Sequence, residues 1–257
     1  RELIRVRDIF LTGHILGHHH NGIVHANFNQ IKSDNNLGTG TGRLSANDPA
    51  LQQIHKRNKE LAAIVRAFFI PDPGQKWCCH DWAQMDFRIF ADYAKDPKIL
   101  TSYRENPDMD YHQMVSDLTG LVRSPTAGVK GNAKQINLGL VFGMGEGRLA
   151  LEMGLPFTRN WSECLQREYL VPGEEAMEVF RTYHSAIPGV SKILKYASDL
   201  AKSRGYVRTV LGRRLRFPGG RFTHKAGGLV FQGSAADALK VKMIEIHRYL
   251  KSTSSRF

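Results

Sequence analysis

Apolar positions fall at helical spacing over residues 108–121 and again over 124–144. The same period returns over 174–203, where Pro188-Gly189 interrupts it, and over 226–250. Residues 87–94 predict one more helix. Residues 205–217 instead alternate, with Gly212 at a turn, and predict a hairpin. The apolar run 61–70 fits a buried strand or a helix and is stopped by Pro71-Asp72-Pro73-Gly74. Residues 76–81 predict a short strand entering a turn, and 21–60, rich in Asn, Gly, Thr and Ser, predict extended loops with short strands. Strands toward both ends with helices between them define an α+β, helix-rich domain carrying a helical insertion.

Composition narrows the partners. The 36 Lys and Arg against 24 Asp and Glu give a formal net charge of +12, which favours a polyanion. Seven cations (Arg204, Arg208, Arg213, Arg214, Arg216, Arg221 and Lys225) lie in one acid-free stretch. A solvated hairpin face is one reading of it, and a phosphate-tracking surface is the favoured one. No apolar run reaches the length of a membrane span. Cys78, Cys79 and Cys164 cannot form a complete disulfide set, which points to a reducing compartment. The chain opens on Arg1 and runs to Phe257 directly after an amphipathic run, and it reads as a fragment.

Two constellations carry chemistry. Asp81 opens Asp-Trp-Ala-Gln-Met-Asp-Phe-Arg88 at the end of the predicted strand. A carboxylate there can hold Mg²⁺ with a neighbouring carbonyl, or equally cap a helix. In Lys130-Gly-Asn-Ala-Lys-Gln-Ile-Asn-Leu-Gly-Leu-Val-Phe-Gly-Met144, helical spacing puts Lys130, Lys134, Leu138 and Phe142 on one face. Ala133, Ile136, Leu140 and Met144 form the opposite, buried face. Two lysines a turn apart suit a triphosphate, and the apolar pair beyond them suits its base. On a helix standing alone, the same face would simply be solvated. Gly139 and Gly143 predict a close approach to the backbone.

Both segments have a resemblance. The first resembles motif A, and the second motif B, of the family A (DNA polymerase I-like) DNA polymerases of bacteria and phages. Further segments agree in order: His25-Ala-Asn-Phe-Asn-Gln30, Thr41-Gly-Arg-Leu-Ser-Ala-Asn-Asp-Pro-Ala-Leu-Gln52, Asp110-Tyr-His112, Gly205-Tyr-Val-Arg-Thr-Val-Leu-Gly-Arg-Arg214 and Gln232-Gly-Ser-Ala-Ala-Asp237. The resemblance implies a right-hand polymerase: a palm of antiparallel sheet plus helices with a helical fingers insertion, truncated here. Residues 1–105 would be the first part of the palm, with the base of the thumb at its start. Residues 106–203 would be the fingers, and 204–257 the second part of the palm.

The implied chemistry is template-directed DNA synthesis with two Mg²⁺ ions. Asp81 and the Trp82 carbonyl are the implied metal ligands, and Lys134 is the implied acid for the leaving group. Gln84, Asp86, His112, Lys130, Lys134, Leu138 and Phe142 would hold the dNTP, with Asp86 where the family has a glutamate gate against a ribose hydroxyl. Arg43, Gln52, Gln53, Arg213, Arg214, His224 and Gln232 would contact primer–template DNA. The implied setting is the cytoplasm of a bacterium or a phage-infected host. A monomer is implied, with room for a processivity or replisome partner and no membrane contact.

Several positions depart from the family pattern. Leu138 replaces Phe or Tyr, Phe142 replaces Tyr, Lys130 replaces Arg, and Asp86 is shorter than Glu by one methylene. Gly228 stands where the family has Asn. The His-Asp-Glu motif that supplies the second metal aspartate does not occur before Phe257, so the 257 residues alone are expected to be inactive. Three other readings compete: a single-subunit RNA polymerase, a non-catalytic nucleic-acid-binding module, and a metal nuclease built on His14, His18 and His20.

Overall fold

The computed structural model describes residues 2–54, 58–123, 133–164 and 166–253. The chain divides into two compact units: 1–81 with 236–257, and 82–235.

In the first unit, helix α1 (Glu2–Val6) continues as a wider π-helical stretch, Arg7–Leu16. Strand β1 (His19–His20) pairs antiparallel with β2 (Ile23–Val24). Strand β3 (Asn27–Asn29) pairs antiparallel with β4 (Ser45–Asn47), with Phe28 opposite Ala46. Helix α2 (Lys59–Arg66) follows, and the Asn58 side chain caps it by accepting from the amides of Glu60 and Leu61 at 3.1 and 3.2 Å. The helical alternative for the 61–70 run is thus the one adopted. Val6, Phe10, Leu61 and Val65 form a small core between α1, its extension and α2. The strand expected over 76–81 does not form, and Trp77 there is exposed. No neighbouring strand among the described residues offers it a hydrogen-bonding ladder, and an unpaired strand leaves its backbone to water.

The second unit is helical with two hairpins. Helix α3 (Met85–Ala94) is followed by α4 (Pro97–Glu105), which starts with Asp96 as its cap and Pro97 in its first turn. Next come α5 (Tyr111–Thr119), α6 (Ala133–Val141) and α7 (Glu146–Met153). Strands β5 (Phe157–Ser162) and β6 (Arg167–Pro172) make a six-pair antiparallel hairpin. Helices α8 (Glu174–Ala186) and α9 (Pro188–Arg204) meet at the break marked by Pro188. The alternating segment forms β7 (Tyr206–Arg208) and β8 (Arg214–Arg216), as its spacing predicts, and the last helix, α10 (Ala226–Ser252), belongs to this unit through Ala235 and to the first from Ala236.

One apolar core unites α3, α5, α6, α8, α9 and the start of α10. Its centre is aromatic: Phe90, Tyr111, Tyr183 and Phe231 are fully buried, and Phe87 stacks on Tyr111 at 4.8 Å. The structure is α+β, helix-rich, with small antiparallel sheets. Among the described residues no helix is long and apolar enough to cross a membrane, and all three cysteines are free and exposed.

Candidate functional site

Helix α6 divides as its spacing predicts. Ala133, Ile136 and Leu140 are buried, while Lys134 is exposed and Leu138 and Phe142 are half-buried. Asn137 and Val141 are buried with the apolar side. Lys130 lies outside the described residues. The two glycines serve the chain itself. A Cβ on Gly139 would lie 2.5 Å from the Met144 methyl, because Met144 folds back over the helix; its amide bonds the Gly139 carbonyl at 2.8 Å. Gly143 takes φ +87°, which ends the helix in the left-handed region.

At that end opens a cleft of about 430 Å³, lined among others by Phe142, Met144, Arg148, His224, Gly228 and Gln232. The first turns of α10 form its far wall. Gly228 lets them come close, since a Cβ there would meet the Phe142 carbonyl oxygen at 3.1 Å and its Cα at 3.4 Å. Both neighbours are backbone, which cannot turn aside as a side chain can. Restoring the family's residue, Gly228→Asn, is therefore expected to destabilise the protein by about 1–3 kcal/mol. Urea unfolding checks this, and an unchanged midpoint would contradict it. His224 is exposed on this wall, and partial burial, with Lys225 and Arg167 nearby, lowers its pKa.

The amino end of α5 contributes His112, which is nearly buried. Asp110 caps that helix by accepting from the amides of His112 and Gln113 at 2.9 and 3.3 Å, and it also takes Arg123 Nη2 at 2.6 Å. Burial works to raise the Asp110 pKa, but the hydrogen bond from Arg123 and the two amides prevail and lower it. His112 is pushed down to about 4, chiefly by burial, with Arg123 and Lys134 adding to the effect and Asp110 opposing it. Its ring also stands edge-on to Phe87 at 4.6 Å.

Gln84 precedes α3 with φ +54° and turns its amide inward. Nε2 donates to the Met109 carbonyl at 2.9 Å, while Oε1 accepts from the Tyr111 amide at 2.8 Å and from the Tyr103 hydroxyl at 3.3 Å. Its side chain thus ties α3 to α5. Asp86, in the first turn of α3, is half-buried, and Trp82 is exposed.

On the basic hairpin, Arg214 of β8 lies over the Tyr206 ring at 4.8 Å, and Arg208, on the same strand as Tyr206, at 5.8 Å. Arg213 turns back instead, donating to the Gly233 carbonyl at 3.1 Å beside Gln232. Arg208, Arg214 and Arg216 remain exposed.

In the first unit, Arg43 and Gln53 are exposed. The Gln52 amide closes a loop by donating to the Leu44 carbonyl at 3.0 Å and accepting from the Ala46 amide at 3.2 Å. Asp81 is exposed and does not cap α3, whose N-cap is Gln84, so the capping alternative for Asp81 falls away. The His14 and His18 rings each bond a carbonyl five residues back, Ile9 and Gly13, at 2.7 Å. Among the described residues no three His, Cys, Asp or Glu side chains converge as metal ligands, so the histidine nuclease has no site there.

The fold of this chain is that of a polymerase domain. It superposes on the POL domain of Pol1 from M. smegmatis, in complex with DNA primer-template and dNTP, with a TM-score of 0.75 and 26% identity over 99% of this chain and 42% of that one. The chain belongs to DNA polymerase family A, whose model matches residues 2–257. It is 51% identical over 98% of its length to DNA polymerase DpoZ of Salmonella phage PMBT28, and 42% identical over 99% to DNA polymerase DpoZ of Vibrio phage phiVC8. DNA polymerase I of Deinococcus radiodurans is 28% identical over the full chain. The chain spans 42% of the length of the first phage relative, 41% of the second and 25% of the bacterial one.

Proposed function

We propose that the whole protein extends a DNA primer along a template, adding dNTPs to the 3′-hydroxyl and releasing pyrophosphate. The observation that carries this reading is the Lys134, Leu138, Phe142 face, exposed at the lysine and half-buried beyond it, running into a cleft walled by His224 and Gln232. A triphosphate would lie along Lys134 and His112, with its sugar and base over Leu138 and Phe142. Lys134 would both neutralise phosphate charge and protonate the departing pyrophosphate. Asp86 would bound the sugar side of the pocket. Gln232, His224 and Arg214 would contact the primer–template; Arg43, Gln52 and Gln53, in the first unit, are each proposed as DNA contacts by themselves. Arg213, held by Gly233, would stiffen the hairpin beneath it. The palm and fingers boundaries at 105 and 203 are part of the same proposal.

Family A polymerases are nucleotidyltransferases that generally use divalent metals. Asp81 and the Trp82 carbonyl would hold Mg²⁺. A lone exposed carboxylate fits that ion, which keeps several waters and takes one or two carboxylates plus substrate phosphates. The bound ions supply charge neutralisation on the triphosphate and acidify the primer hydroxyl.

Primer extension by the whole protein, with dNTPs and NTPs in parallel, tests the reading. Incorporation of dNTPs that Asp81→Asn lowers by about a thousandfold, or about 4 kcal/mol, is expected. Preferential NTP incorporation would favour the RNA polymerase instead. Salt-dependent DNA binding without turnover would favour the binding module.

A further inference from the structure

His112 is held from behind by two side chains to which the sequence pattern assigns no role. The Tyr183 hydroxyl on α8 donates to Asn137 Oδ1 on α6 at 2.6 Å, and Asn137 Nδ2 faces His112 Nδ1 on α5 at 3.3 Å. Asn137 and Tyr183 are fully buried, and His112 is only 4% exposed. A buried phenol must donate its proton. Asn137 Oδ1 accepts it at 2.6 Å, and the neighbouring buried Tyr111 hydroxyl acts toward Tyr183 as a donor rather than an acceptor. That donation fixes which end of the amide faces the ring, and an amide nitrogen can only donate. His112 Nδ1 must then present a lone pair, and the ring proton sits on Nε2.

We propose that Tyr183 and Asn137 are positioning residues that lock His112 in the Nε2–H tautomer, presenting one fixed N–H donor to the phosphate oxygens of the incoming triphosphate. This rests on the reading of His112 as a triphosphate ligand. The charged groups facing the ring are Arg123 and Asp110 beside α5 and Lys134 on α6. Burial, Arg123 and Lys134 keep the ring neutral at neutral pH, so its orientation depends on tautomer rather than on charge. The amide fixes that tautomer, and the phenol fixes the amide.

The test uses the whole protein labelled with ¹⁵N-histidine and steady-state kinetics from about pH 6 to about pH 8, the range in which an unperturbed histidine titrates. In the unsubstituted protein, His112 should carry its proton on Nε2 throughout, and KM for dNTP should show no titration of this ring. Tyr183→Phe frees the amide to turn. It should mix the tautomers and raise KM about tenfold, the worth of one hydrogen bond, with kcat less affected. Asn137→Asp should draw the proton to Nδ1, favour the imidazolium and make KM lower at the acid end than at the alkaline end. Neither substitution should change KM further in a His112→Gln background.

A ring protonated on Nδ1 in the unsubstituted protein would overturn the proposal. So would Tyr183→Phe with both tautomer and KM unchanged. If the unsubstituted protein incorporates no dNTP, the polymerase reading fails, and the histidine spectrum still decides the relay.

Discussion

Replacing Lys134 with methionine is expected to lower the rate of nucleotide addition by the whole protein about 10²–10⁴-fold, the usual worth of a positioned proton donor. Methionine keeps the length and helix preference of lysine but carries neither charge nor proton. The effect should fall on chemistry rather than on folding, because Lys134 is exposed while its helix is anchored through Ala133, Ile136 and Leu140. Thermal unfolding of the variant should match the parent. The loss should also shrink when the leaving group no longer needs a proton. Lys134 lowers the pKa of His112, so its removal should raise that value. A variant with full activity would remove Lys134 from the chemistry altogether.

The largest structural effect is expected at Gly147, on α7. A Cβ there would lie 2.2 Å from the Leu170 carbonyl oxygen and 2.8 Å from its carbon, both backbone atoms of β6. Nothing in the strand can swing away, so Gly147→Ala should lift the β5–β6 hairpin off α7. The expected cost is about 3 kcal/mol, near the upper end for overpacking. Hydrogen exchange of the β6 amides should report it as local loss of protection. Gly145, two residues earlier, has no neighbour within 4 Å and is the N-cap of α7, so Gly145→Ala should cost only the cap preference, at most about 1 kcal/mol. Similar stabilities for the two variants would contradict the packing argument.

Much of this architecture can be read along the chain because several segments announce themselves. Helix α6 alternates its faces at a clean 3.6 period, Pro188 marks the α8–α9 break, and Gly212 marks the basic hairpin. The β5–β6 hairpin is silent by comparison. Its side chains are mostly exposed on both faces, so no alternation appears, and the left-handed turn residue is Gln166 at φ +48° rather than a glycine. Helices α4 and α7 bury little, only Ile99 in α4 and Leu149 and Ala150 in α7, and so show no clear periodicity. Residues 76–81 look like a strand because Trp77, Cys78 and Cys79 make a short apolar stretch leading into a turn, but strands are pair properties and no partner is described.

At the site, the exposed Lys134 and Asp81 and the nearly buried His112 are legible as residue types in motifs. The buried partners are not. Asn137 sits three residues past Lys134 on a helix that reads as apolar on that side, and Tyr183 lies 46 residues further along in a stretch that reads as core. Their pairing is set by tertiary packing and has no sequence period to betray it. The close approach expected at Gly139 is real, but its visitor is Met144 of the same chain.

Gln84 has a mechanical consequence. Its one amide is bolted to Met109 and Tyr111, so the first turn of α3 and the first turn of α5 behave as parts of one bracket. Asp86 rides on one arm of that bracket and His112 on the other. A movement that tilts α5 must drag the start of α3 with it, so Asp86 and His112 keep their spacing. On the proposed assignment of Asp86 to the sugar and His112 to the phosphates, a nucleotide would meet both on one fixed gauge.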